Sequence, residues 1–530
     1  MVRWLCGHPL RLPLALACYF VLHVFVRSFV SGTLDYDESE QAFLSQFITL
    51  GYNSQPPLYT WLQRGTFELF GYSVMSLALL KNLFIWLTYV LVFELIRQAT
   101  GKTALGLVAT LGMLTIPQVA WESHRDLSHT VATMCATSLL IYCVVMMGKQ
   151  SGHVKTRWYL LLGFAVGVGA LFKYNYAIVV VATLAASLTI PVFRSSVLDR
   201  RIWLAVLIAA VMVLPHAFWM LEHFALASTK TMNALSDGST DSWGLNVSRG
   251  IGSITTSFLA CAAGPVALFV FGFGSRLFRG DLAAGRGLVC PLEVSTRQLL
   301  ERFLGMIVFV LVVMALTGKA VDFENRWFQP FIFVVPAWIT LVYSSLVLSD
   351  ERFQRNQIRT SAVIMVVILS AVVFRPLTAS YRGKYTRLNL PYPEAASEMV
   401  RADQEVPRFI FAHDMRDAGN LRLRFPGSVV LCEETPHLIT DELQKQFEVA
   451  EHVWGFSSVE SRQDWDYFAE RVASDLKLLV SSSVATQELS VPYLYGGKDD
   501  RKTFWFAEIN AIKPNVVVAN QPSHRAASAR

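Results

Sequence analysis

The chain has 530 residues, of which 53% are hydrophobic and only 16% charged; a water-soluble protein of this size carries nearer a quarter charged residues, so that class is excluded and a polytopic membrane protein remains. The net charge of +6 comes from short basic clusters set between apolar runs, which is how membrane-orientation signals are distributed, and no nucleic-acid partner is expected. Seven cysteines lack metal-ligand spacing, and all but Cys432 fall in or beside apolar runs, so no disulfide framework is implied.

A span needs about 20 mainly apolar residues. On that measure about eleven spans are predicted, near 11–30, 74–96, 103–121, 127–147, 158–172, 175–193, 202–221, 250–275, 303–318, 327–348 and 360–377. The first run lacks an A-x-A-like end and many spans follow it, so it reads as a span and not as a cleaved signal. Between spans one and two, "TLDYDESEQAFLSQFITLGYNSQPPLYTWLQ" begins at Thr33. It sets Asp35, Asp37 and Glu38 at the mouth of the first span. Two amphipathic stretches follow, "AFLSQFITLGY" and "LYTWLQRGTFELF", too short and too polar to cross and suited to the interface plane. Pro56 and Pro57 separate them, since each removes a backbone donor and disfavours helix in the residue before it.

Further along, "WESHRDLSH" places Glu122, His124, Arg125, Asp126 and His129 between spans three and four, with Arg125 and Asp126 spaced to pair at a helix start. "FKYN" interrupts the apolar stretch 157–193, which reads as two spans meeting at a polar turn carrying Lys173. "GKAVDFENRWFQP" supplies Lys319, Asp322, Glu324 and Arg326 before the tenth span. Segments such as those of Arg97, Lys149, Arg200 and Arg302 hold most of the Lys and Arg, which puts the N-terminus in the cytoplasm; an odd number of spans then delivers the C-terminus outside. Ionisable residues collected at outer span ends are functional candidates, because burying charge at a membrane boundary is costly.

After Pro376 the chain turns polar. Strand-like runs 408–413, 427–432, 476–482 and 503–509, with a helix-like segment 461–476 between them, predict a small α/β domain. The expected organisation is an all-α membrane domain over 1–378, containing a first outer loop at 31–73 with two interfacial helices, then an α/β soluble domain over 381–515 and a disordered tail at 516–530.

Acidic residues just after the first span, "PPLY-x-W" some twenty residues on and a soluble outer tail resemble the GT-C type polyprenyl-phosphate-sugar-dependent glycosyltransferases, the protein O-mannosyltransferase-like superfamily. Within it, "DYDESEQAFLSQFITLGYNSQPPLYTWL" is most similar to the bacterial branch of lipid A aminoarabinose transferases and rhizobial-type galacturonosyltransferases. The resemblance implies a bacterial inner-membrane enzyme moving a sugar, with inversion, from a polyprenyl-phosphate donor to a periplasmic acceptor, lipid A or lipopolysaccharide core. It matches Asp37 to the family's first-loop acidic residue, with Glu38 and Asp35 beside it as further catalytic candidates. Lys173 and Arg326 match basic positions of the family, and with Arg125 they would bind the donor phosphate. Gln55, Tyr59, Asp126 and Glu324 are candidates for positioning the acceptor or the loop. The aminoarabinose transferases carry a Glu-Lys pair ahead of their prolines, where this chain has Ser54 and Gln55; a divalent metal tied to that pair has no support in the sequence, and no cofactor is required. Two alternatives stand beside this reading: a protein O-mannosyltransferase, and, from another class, a secondary transporter, which would place ionisable groups near the bilayer midplane in paired half-repeats.

Overall fold

The computed structural model describes residues 2–150, 154–277, 290–403, 405–448, 450, 452–475 and 486–510. Two units make up the chain: Met1–Val30 with Ile48–Phe374, and Ser31–Phe47 with Arg375–Arg530. The first outer loop, expected to belong whole to the membrane domain, is therefore divided between them at residue 47.

The first unit is helical. Among the described residues, seven helices are long and apolar enough to cross a bilayer: Arg11–Val30, Val74–Thr100, Ser128–Lys149, Ile202–Glu222, Trp243–Phe273, Pro291–Leu316 and Glu351–Leu377. Their ends follow local chemistry. Ser73 caps Val74–Thr100 by accepting from the Ser76 amide, and Gly101 closes it in the left-handed region at φ 71°, its amide donating to Arg97, as only a residue without Cβ does cheaply. Two further helix pairs are long and apolar enough only when taken together and are sharply bent, Thr103–Thr115 with Gln118–Arg125 by 80° and Tyr176–Leu188 with Pro191–Val197 by 117°, the geometry of a broken span or a re-entrant loop. Prolines cause both bends: Ile116 and Ile190, each preceding a proline, are extended at ψ 111° and 117°, where the proline ring forbids helical geometry.

The shorter helix Thr156–Phe172 ends at Lys173, whose extended backbone (φ −158°, ψ 136°) separates it from Tyr176–Leu188. This matches the polar turn read from "FKYN". The tenth predicted span is instead three short helices, Asn325–Ile332, Val335–Val342 and Ser344–Ser349. Pro336, in the first turn of the second, interrupts the hydrogen-bond ladder that a single helix would need.

The second unit is built on a five-stranded sheet. Its strands are β1 Phe409–Ala412, β2 Val429–Cys432, β3 His452–Ser457, β4 Thr486–Pro492 and β5 Arg501–Asn510, in the order β2-β1-β3-β5-β4. β1 is parallel to β2 and to β3, while β5 runs antiparallel to β3 and β4. Between β1 and β2 runs the helix Met415–Arg424, the crossover that a parallel pair requires. Phe409, Phe411, Leu431, Val453, Trp465, Phe468 and Trp505 form an apolar core on the sheet. β1, β2, β5 and the helix Arg462–Asp475 coincide with predicted elements; the predicted strand at 476–482 and the predicted tail lie outside the described residues.

The helix Tyr36–Leu44 also belongs to this unit and packs against Met415–Arg424. Residues 38–44 are all buried, so the first "interfacial" helix is a component of the α/β unit, covered on its faces by protein. It begins six residues before the predicted stretch "AFLSQFITLGY" and shares only residues 42–44 with it. The second predicted interfacial helix is present in the first unit as Leu58–Phe70.

Candidate active site

Asp35, Asp37 and Glu38 open the Tyr36–Leu44 helix, and their spacing assigns them different tasks. Asp35 is the N-cap, and its side chain accepts from the Tyr36 amide at 2.8 Å. Glu38 sits at the third helical position, 2% exposed, and its Oε2 accepts from the Asp35 amide at 3.0 Å. Together they form a capping box that satisfies donors left orphaned by the helix start. Asp35 Oδ1 also accepts from Arg387 Nη1 at 2.8 Å. Both carboxylates flanking Asp37 are thereby committed to holding the helix. Asp37 is half-buried.

The phenol of Tyr36 shows the charge of this region. Burial first, then the carboxylates of Glu40, Glu434, Asp414 and Asp37, push it well above the usual tyrosine range. Glu40, itself buried, lies one turn from Tyr36 on the same helix, whereas Asp414 and Glu434 had no signal in the sequence, because they reach Tyr36 only through packing of segments far apart in the chain.

In the first unit, Lys173 donates to Thr130 Oγ1 at 2.7 Å. Its neighbour Phe172 presents its carbonyl to His129 Nδ1 at 3.1 Å, and the His129 ring lies 5.3 Å from that of Tyr59. Tyr59 is 1% exposed, so it ties the Leu58–Phe70 helix to this cluster as a packed ring. The structure therefore gathers Lys173, Thr130, His129 and Tyr59. His129 ends the polar segment "WESHRDLSH" but is not among the expected site residues, and Thr130, just beyond that segment, carries no sequence signal.

Next to Lys173, Tyr174 begins a ladder of parallel rings: Tyr174 to His216 at 5.7 Å, His216 to Trp219 at 5.7 Å and Trp219 to His223 at 4.8 Å. His216 Nδ1 lies 2.7 Å from the Leu50 carbonyl, and Gly51 lies so close to Trp219 that a Cβ there would overlap the indole. The ladder seats the chain leading to Gln55 and the two prolines. Gln55 is half-buried, its amide donating to Asn53 Oδ1 at 3.0 Å.

The remaining cationic candidates are ion-paired. Arg326 is held by Glu324, the residue capping Asn325–Ile332, through Nε and through Nη2 at 2.9 Å. Arg125 pairs with Glu122 at 2.9 Å. The pairing expected with Asp126 is replaced because Asp126 has left the helix, with an extended backbone (φ −144°), and Leu127 beyond it is left-handed at φ 70°; Glu122, three residues back on the same face, is the partner in reach.

A further group, His413, Asp414 and Asp417, has ligand atoms within 4.8 Å of one another, but hydrogen bonds already occupy its carboxylates. Asp417 accepts from Tyr392 at 2.5 Å and from the Ser458 amide at 2.9 Å. Asp414 accepts from the Asp417 amide at 2.7 Å and from Arg416 at 3.1 Å.

The family described as dolichyl-phosphate-mannose-protein mannosyltransferase matches residues 54–219. Along nearly its whole length the chain is similar to two proteins of Rhizobium johnstonii. It is 34% identical over 495 residues to the lipopolysaccharide core galacturonosyltransferase RgtB and 32% over 497 residues to RgtA, covering 93% of this chain and 96% of each relative. The crystal structure of ArnT from Cupriavidus metallidurans bound to undecaprenyl phosphate has the same fold, with a TM-score of 0.56 over 93% of this chain and 97% of that one at 12% identity. The chain is a multi-pass membrane glycosyltransferase and belongs to the GT-C family that contains the rhizobial lipopolysaccharide core galacturonosyltransferases.

Proposed function

We propose that this enzyme moves a galacturonosyl residue, with inversion, from a polyprenyl phosphate to the core or lipid A part of lipopolysaccharide, on the periplasmic side of the inner membrane. The observation that carries this reading is the similarity to two lipopolysaccharide core galacturonosyltransferases over 93% of the chain. A third relative, the lipid A galacturonosyltransferase RgtD of the same organism, is 28% identical over 247 residues, 46% of this chain. Core and lipid A therefore both remain in the acceptor class. The fold shared with ArnT supports a carrier of the undecaprenyl-phosphate type.

The chemistry assigns roles. As an acceptor oxygen attacks the anomeric carbon, the bond from that carbon to the carrier phosphate breaks and the phosphate keeps the electron pair. Cationic donors fixed in advance lower the barrier for such charge development. Lys173 supplies a compact ammonium, and Arg326 a fork able to grip two phosphate oxygens, with Glu324 holding that fork ready. Arg125, held by Glu122, is a further phosphate contact. On the acceptor side the hydroxyl proton passes to Asp37, the acidic residue of its helix start not engaged in the capping box. Asp35 and Glu38 fix that helix, and Gln55, Tyr59 and Asp126 hold the outer connections. No metal is required.

The test is mass spectrometry of lipid A and core oligosaccharide from a deletion strain beside its parent. Loss of one hexuronic acid residue, restored by the intact gene, is the expected result; an unchanged glycolipid profile would remove lipopolysaccharide as the acceptor.

A further inference from the structure

Residues 31–47 precede most of the membrane helices in sequence, yet several of their hydrogen bonds run to residues more than 340 positions later. Ser31 Oγ donates to the Leu388 carbonyl at 2.7 Å and Thr33 Oγ1 to that of Leu390 at 2.5 Å. Arg424 donates to the Gly32 carbonyl at 2.9 Å. At the far end, the Gln46 amide pairs with the edge strand β2 in both senses, donating to the Val430 carbonyl at 2.9 Å and accepting from its amide at 3.0 Å. One side chain thus supplies the pairing that a further strand would make.

Between these ends the Tyr36–Leu44 helix lies against Met415–Arg424 at backbone distance. A Cβ on Gly419 would overlap the Ser39 main chain, so glycine sets the separation. Beside it Asn420, 2% exposed, bridges the two helices. Its Oδ1 accepts from the Leu34 amide at 2.9 Å, and its Nδ2 donates to Ser39 Oγ at 3.3 Å and to the Arg416 carbonyl at 2.9 Å. Ser39 Oγ in turn donates to the Asp35 carbonyl at 2.9 Å. Asn420 therefore grips the chain immediately before the helix and one turn into it, on either side of Asp37.

We infer that the C-terminal α/β unit is a working part of the transferase, the seat on which the Asp37 helix is mounted, and that Asn420 is a positioning residue for the transfer reaction. The inference rests on the role proposed for Asp37. A buried amide that makes three directed bonds fixes orientation as well as distance, and orientation of a base within fractions of an ångström is what the reaction rate senses. The helix is anchored to the far end of the chain, so truncation after the last span removes the seat along with the domain.

The experiment uses the full-length enzyme in detergent, with Asn420→Ala and Asn420→Asp compared with the parent and with Asp37→Asn. Asn420→Ala is expected to lower kcat roughly ten- to a hundredfold with the donor KM within about twofold, and to speed amide exchange in 31–47 while the sheet stays protected. Asn420→Asp keeps the acceptor for Leu34 and is expected to recover part of the loss. In the Asp37→Asn background, Asn420→Ala is expected to cost nothing further, as for two residues acting through one step. Unchanged kcat in Asn420→Ala, or losses that multiply in the double variant, would overturn the positioning role and leave Asp37 standing. Full activity of Asp37→Asn alone would instead sink the base assignment, and the exchange pattern would still report whether 31–47 is seated through Asn420.

Discussion

Arg387 and Asp35, 352 positions apart, meet at 2.8 Å, and the same carboxylate caps the helix that carries Asp37. The arginine, about half exposed, also lies over the Tyr36 ring at 5.6 Å. Replacing Arg387 by Ala is expected to destabilise the helix start by less than about 1 kcal/mol, since a half-exposed pair is screened. Asp35→Ala removes the cap as well and is expected to cost about 1–2 kcal/mol. Amide exchange of 35–40 in the two variants checks the order of these effects; equal exchange would mean that the cap carries no load beyond the ion pair.

Asp37→Asn is expected to cut transfer to a low residual rate that single-turnover assays still read, whereas Asp35→Asn and Glu38→Gln, whose oxygens are engaged in the capping box, leave most of the turnover. All three should insert normally in the membrane. Transfer assays with purified donor read the difference, and full activity of Asp37→Asn would take it out of the reaction.

Lys173→Ala is expected to lower kcat by at least about a hundredfold, the scale on which loss of one charge-stabilising donor is felt. Thr130→Ala, which removes one acceptor of the ammonium, at 2.7 Å, should cost about tenfold or less. Lys173→Arg should recover little, because the guanidinium places its charge farther along a different geometry. Single-turnover kinetics with saturating donor separates these cases; a Thr130 effect larger than that of Lys173 would reverse the assignment.

Asp417 is a fully buried carboxyl of the α/β unit, and burial, with the nearby Asp414 carboxylate, pushes it up to about 6. Its protonated form is favoured in the folded state, so its contribution to stability is fully present below the ordinary aspartate range and is lost as pH rises through about 6. The ceiling on this contribution is on the order of 3 kcal/mol. Asp417→Asn can keep both bonds if the Tyr392 hydroxyl turns to accept. The melting temperature of the parent relative to this variant is therefore expected to fall between about pH 4 and pH 6; a constant gap over that window would show that Asp417 does not titrate there.

Gly51→Ala places a methyl group into the Trp219 ring. Overpacking of this kind costs about 1–3 kcal/mol, and the ladder from Tyr174 to His223 must shift to relieve it. Thermal unfolding in detergent should show the loss, and near-ultraviolet dichroism should show the change in the indole; parent-like behaviour in both would mean that the loop has room to move.

Local patterns decided what was legible beforehand. Runs of about 20 apolar residues identify bilayer helices whatever they pack against, and "FKYN" within 157–193 announced the break that the extended Lys173 backbone makes. The strands β1, β2 and β5 are apolar and were visible. β4, "TQELSVP", has little apolar content, since an edge strand exposed on its faces needs none.

What the amino-acid sequence determined by itself was the all-α multi-pass membrane class and the polar α/β region after the last span, because each depends on composition or on neighbours a few positions away; the expected eleven spans were not all long single helices, seven being present among the described residues. Only tertiary structure decided that Asp35 and Glu38 hold the first-loop helix through a capping box, that Arg125 pairs with Glu122, and that Ser31–Phe47 is built into the C-terminal unit. Those outcomes rest on contacts such as Gln46 with Val430 and Asn420 with Leu34, formed across hundreds of residues, where no periodicity connects the partners and packing alone selects them.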